Sequence, residues 1–87
     1  MKRDYDDEEY TQFRLAVLKR DKNICQMPNC GNKYGLNVHH IKRWADAPWL
    51  RYEVSNGITL CRRCHKTIKG AENIYAKLFT EIVNDNT

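Results

Sequence analysis

The sequence has no apolar N-terminal stretch: Met1-Lys2-Arg3 leads into a mostly acidic run from Asp4 to Glu9. That pattern argues against a signal peptide and points to a reducing compartment. No apolar run approaches the length needed to cross a bilayer, so no membrane partner is expected. Repeats, low-complexity tracts and Gly/Ser linkers are also missing, so residues 1–87 are expected to form one domain with a core at about 20–70. A chain of 87 residues buries little apolar surface, and a cross-link or a metal is expected to help hold it.

What the sequence does have is four cysteines in two close pairs. Cys25-x4-Cys30 and Cys61-x2-Cys64 are separated by 30 residues. Thiolates are soft ligands that suit zinc, and a structural zinc takes four of them in a tetrahedron. A short turn, marked by Met27-Pro28-Asn29, lets both sulfurs of the first pair reach one ion. Disulfides fit a reducing compartment poorly, and iron–sulfur clusters usually have other spacings. The expected cofactor is therefore one structural Zn2+ on Cys25, Cys30, Cys61 and Cys64.

The net charge of +4 is unevenly placed. Residues 1–19 carry −1, residues 20–69 carry +7 and residues 70–87 carry −2. The basic charge shares its segment with the cysteines and histidines, so a polyanionic partner is expected there.

Helical spacing of Tyr10, Phe13 and Val17 predicts a helix over 7–20, capped by Asp6 or Asp7. Val38–Ile41 and Ile58–Leu60 are expected to be short antiparallel strands. The loop between them, 42–57, is long enough to carry function or a helical turn near Pro48–Tyr52. A short helix over 62–69 should end at Gly70. A second, over 72–83, carries Ile74, Tyr75, Leu78, Phe79 and Ile82 as an expected core stripe, and Asn84–Thr87 are expected to fray.

All three histidines lie inside or against the cysteine-bracketed segment. If the sulfurs fill a zinc shell, the imidazoles serve something else. His39 and His40 are consecutive strand residues and must point to opposite faces. His39 can meet His65 at a second metal, while His40 reaches a substrate from another direction.

The runs Val38-His39-His40-Ile41, Asn56-Gly57-Ile58-Thr59-Leu60-Cys61 and Arg62-Arg63-Cys64-His65 resemble the HNH endonuclease motif. Its His, Asn and His fall on His40, Asn56 and His65, and the zinc-bracketed four-cysteine subtype of phages and bacteria is the nearest match. The segment Phe13-Arg14-x5-Arg20-Asp21-x3-Cys25 is similar to that subtype too. The resemblance implies a small α+β fold, a ββα-metal (His-Me finger) core with a helix on either side. It implies His40 as general base, Asn56 as the residue that orients it, and His39 and His65 as ligands of a catalytic divalent ion. His39 stands where many members have Asp; the softer set lets Mn2+, Ni2+ or Zn2+ compete with Mg2+. Gly57 stands where the family often has Leu.

The resulting expectation is a metal-dependent DNA endonuclease, a phosphodiester hydrolase of a bacterial or phage-infected cytoplasm. Such a site nicks one strand and needs a homodimer, a partner or a larger phage or host complex to cut both. Lys42, Arg43, Arg62, Arg63 and Lys66 are expected to hold DNA phosphates, with Arg51 and Lys69 nearby. Trp44 and Trp49 are expected to cover the underside of the long loop rather than touch DNA. Two other readings stay open: a zinc-stabilised DNA-binding module without catalysis, and an accessory nuclease of a phage packaging machine.

Overall fold

The computed structural model describes residues 8–43 and 45–87, so the expected caps Asp6 and Asp7, and Trp44, lie outside the described residues. The element order is α1 (Glu8–Arg20), β1 (Leu36–His40), two short 3-10 turns (Pro48–Leu50 and Val54–Asn56), β2 (Gly57–Cys61), α2 (Arg62–Thr67) and α3 (Glu72–Asn86). This is the expected small α+β fold, with a ββα unit flanked by one helix on each side. Among the described residues, no helix is long and apolar enough to cross a membrane.

β1 and β2 pair antiparallel, with Leu36 opposite Cys61 and His40 opposite Gly57. The strands are offset from expectation: β1 starts two residues earlier and ends at His40, and β2 runs from Gly57 to Cys61. Every residue of β2 is buried, because α1 and α3 also pack against this strand. β2 runs straight into α2, with the Cys61 sulfur accepting from the Cys64 N–H as the helix cap. The left-handed φ of +88° at Gly70, unstrained without a Cβ, lets the chain turn from the end of α2 toward α3.

The core gathers Ile58, Leu60, Ile68, Phe79 and Val83, each 0–1% exposed. α1 adds Phe13 and Val17 from the other side of β2. They come so close to Gly57 that a Cβ there would sit 2.8 Å from Val17 Cγ2 and 2.9 Å from Phe13 Cζ. These helix side chains fill the space next to Gly57, and position 57 has no room for a side chain of its own.

Three expectations are corrected. Ile74 is 80% exposed and not part of the core; Val83, one turn beyond Phe79, takes its place on the buried face. α3 does not fray at Asn84 but continues to Asn86, whose amide donates to Asp21 Oδ1 at 3.0 Å and to Gln26 Oε1 at 2.8 Å. Trp49 does not cover the loop: it is 76% exposed.

Asp21 is the buried polar centre of the fold. Its carboxylate accepts from Arg20 Nε and Nη2 at 2.8 and 2.9 Å and from the Thr59 backbone N–H at 2.9 Å. Burial alone would raise its pKa; the bonds from Arg20, Thr59 and Asn86 outweigh that and hold it below the ordinary carboxylate value. The same Arg20 donates to Val54 O at 2.8 Å and Gly57 O at 2.6 Å, gripping the peptides on both sides of Asn56.

Candidate metal centre and histidine cleft

Two clusters of metal-ligating side chains draw on α2, one through Cys61 and Cys64 and the other through His65. The first is sulfur only. The Sγ atoms of Cys25, Cys30, Cys61 and Cys64 all lie within 4.8 Å of one another. The Cys30–Cys61 separation is 3.8 Å, the edge expected of a tetrahedron with Zn–S bonds of about 2.3 Å. None of the four is in a disulfide.

The protonation tendencies within the cluster differ. The Cys64 backbone N–H pulls the Cys61 thiol down to about 6, and the Asn32 N–H lowers Cys30. Burial pushes Cys25 and Cys64 up. Arg63 leans over the cluster, its Nη2 3.9 Å from Cys30 Sγ. Two sulfurs are thus disposed to ionise, a cation stands beside them, and the buried pair needs a further positive charge to deprotonate. Soft donors in that arrangement fit zinc.

The second cluster is the histidine cleft, a hollow of about 560 Å³ whose lining includes Arg14, His39, His40, Arg43, His65 and Glu72. β1 places His39 and His40, and their side chains diverge as alternation requires. His39 turns inward, edge-on to Phe79 with ring centroids 5.8 Å apart. Its ring lies 5.3 Å from that of His65, which the first turns of α2 deliver to the same place. Burial chiefly, then the neighbouring His65, pulls the His39 pKa down to about 4, with Glu72 opposing. His39 is therefore neutral near pH 7, and its buried Nε2 has no hydrogen-bond partner among the described residues. A buried, unpartnered nitrogen beside a second imidazole is what a divalent ion would satisfy.

His40 faces the other way. Its ring stacks on Phe13, centroids 5.1 Å apart and planes 17° from parallel. Nε2 lies 2.9 Å from Arg51 O. A carbonyl can only accept, so Nε2 carries the proton and the imidazole lone pair sits on Nδ1.

Asn56 is buried and staples the long loop shut. Its Oδ1 accepts from Lys42 N at 2.9 Å, and its Nδ2 donates to Lys42 O at 3.1 Å and Leu50 O at 3.4 Å. The stapled loop is the one that presents Arg51 O to His40. Arg20, from α1, fixes the backbone before and after Asn56 through Val54 O and Gly57 O.

Of the basic residues expected to hold DNA, Arg43 lines the cleft, held by Asp46 through bonds of 2.9 and 3.1 Å. Lys42, Arg62, Arg63, Lys66, Arg51 and Lys69 are exposed outside the cleft lining. Sequence reasoning missed Phe13 as the ring under His40, and Arg14 and Glu72 as cleft residues. The available signal was helical spacing, since Arg14 follows a predicted core position by one residue.

A two-stranded antiparallel sheet feeding a helix, with a four-sulfur cluster able to hold a metal and a pair of neighbouring imidazoles, defines a cysteine-bracketed ββα unit. The protein-family model described as HNH endonuclease matches residues 25–70, just over half of the chain, which therefore belongs to that family. No curated protein and no solved structure matches the chain. Family membership points to nuclease or DNA-binding function, with DNA as substrate or partner.

Proposed function

We propose that this protein is a metal-dependent endonuclease that hydrolyses DNA phosphodiester bonds, with the whole of residues 1–87 acting as one domain. The observation that carries this reading is the divergence of His39 and His40. One joins His65 as a candidate ligand pair, and the other is fixed at the same cleft by a ring stack and a carbonyl.

His39 and His65 would hold the divalent ion, which supplies positive charge to the phosphate oxygens as negative charge grows on them. Mg2+, Mn2+, Ni2+ and Zn2+ are the ions to compare. His40 takes a proton from water onto Nδ1 as the water oxygen bonds to phosphorus. The phosphorus–O3′ bond breaks, and the leaving oxygen gains a proton from solvent. Asn56 keeps His40 on line by holding the loop whose Arg51 carbonyl fixes the ring. Cys25, Cys30, Cys61 and Cys64 hold structural zinc and take no part in the chemistry. Arg43, Lys42, Arg62, Arg63 and Lys66 contribute phosphate contacts.

The test is plasmid nicking by wild type and His40→Ala across the four metals, with zinc content measured in parallel. Loss of the base should slow nicking by about 10²–10⁴-fold at unchanged zinc content. Equal nicking by both would remove His40 from this role. If wild type binds DNA in a salt-sensitive way but nicks with none of the metals, the chain is a zinc-stabilised binding module.

A further inference from the structure

Arg14 lies in α1, outside the residues that match the family, yet it lines the cleft with His39, His40 and His65. Its place there is fixed by its neighbours on the helix. Phe13 is buried and stacks on His40, and Val17 is fully buried one turn on. α1 therefore cannot rotate without disrupting both packing and the His40 ring, and Arg14 is held on the cleft side.

The two arginines of the cleft differ. Arg43 is engaged by Asp46 through two hydrogen bonds. Arg14 makes no hydrogen bond or ion pair with any described residue, although it is half-buried. Glu72, the carboxylate in the lining, is occupied by the Gly70 N–H at 2.9 Å. Arg14 thus reaches the cleft with its side-chain donors unpaired among the described residues. Its flat fork of donors matches two oxygens of one phosphate.

We infer that Arg14 is a substrate-binding residue that grips the phosphate undergoing attack, an inference that rests on the nuclease reading. Bound next to His40, the phosphate presents its non-bridging oxygens to Arg14 while the water approaches from the histidine side. Charge on those oxygens rises as the water adds, so the contact strengthens in the transition state and acts on kcat more than on KM.

The experiment uses the full zinc-loaded chain and compares wild type with Arg14→Ala, Arg14→Lys and, as a distant control, Lys77→Ala. Two quantities are read: kcat and KM for plasmid nicking, and the salt dependence of binding to a plain DNA duplex in a His40→Ala background. Arg14→Ala should lower kcat by about 10²-fold with a smaller change in KM. It should also flatten the log–log salt slope by about one unit. Arg14→Lys should recover the slope but only part of kcat, and Lys77→Ala should change neither. Circular dichroism melting checks that the variants fold. A wild-type kcat in Arg14→Ala overturns the inference, as does a kcat loss with an unchanged salt slope. If wild type itself does not nick, the nuclease reading fails and the salt slope alone decides whether Arg14 meets phosphate.

Discussion

The sulfur cluster and the histidine cleft both gather metal-ligating side chains, and they do so in opposite ways. The sulfurs saturate one another's neighbourhood: four donors within 4.8 Å leave no position for a substrate. The cleft brings two imidazoles together in a hollow of about 560 Å³ that stays open around them. α2 joins them, with Cys61 at its cap, Cys64 in its first turn and His65 next. The lesson is directional. The closed site sets the start of the helix, and the helix sets the open site, so damage should travel from sulfur to histidine and not back.

Chelation is the largest test of that direction. Stripping zinc should unfold the chain, with loss of about 10 kcal/mol of apparent folding free energy, read by circular dichroism. His65→Ala, at an exposed position, should shift stability by no more than about 0.5 kcal/mol. A chain that melts unchanged without zinc would abolish the comparison.

A smaller effect should come from the buried polar centre of the fold. Asp21→Asn leaves Arg20, whose side chain is only 10% exposed, without its charged partner. The expected loss is about 3–5 kcal/mol by urea denaturation. Because Asp21 is held below the ordinary carboxylate pKa, its stabilisation is complete above the unfolded value of 3.8 and fades as pH falls through the lower folded value. The acid limb of the stability curve should therefore flatten in the Asn variant.

Asn56→Ala should separate the two regions. It removes three loop bonds, costing about 1–3 kcal/mol, and should slow nicking while zinc content stays at the wild-type level. Equal nicking rates would show that the loop orients His40 without its staple. The smallest effect belongs to Ile74→Ala, within about 0.5 kcal/mol, since that side chain is 80% exposed.

The sulfur cluster was legible because ligand spacing is local chemistry: C-x4-C and C-x2-C must turn back on themselves to share an ion. The pairing of His39 with His65 followed from strand alternation and from β2 leading into a helix. Other features depended on docking. The stripe on α3 held more apolar residues than one face can bury, and packing through Phe79 selected Val83 and rejected Ile74. The last turn read as loose because its partner, Asp21, lies 65 residues away in sequence. Arg14 was invisible as a cleft residue until α1 was seated on β2.

That seating turns on Gly57. Phe13, Val17 and position 57 share one volume, so a larger residue at one of them constrains the other two. A relative with Leu after the motif asparagine must shrink or retract the helix residues that fill this space. Such sequences should co-vary at these three positions, so transplanting one residue of the trio between relatives should fail where exchanging all three succeeds.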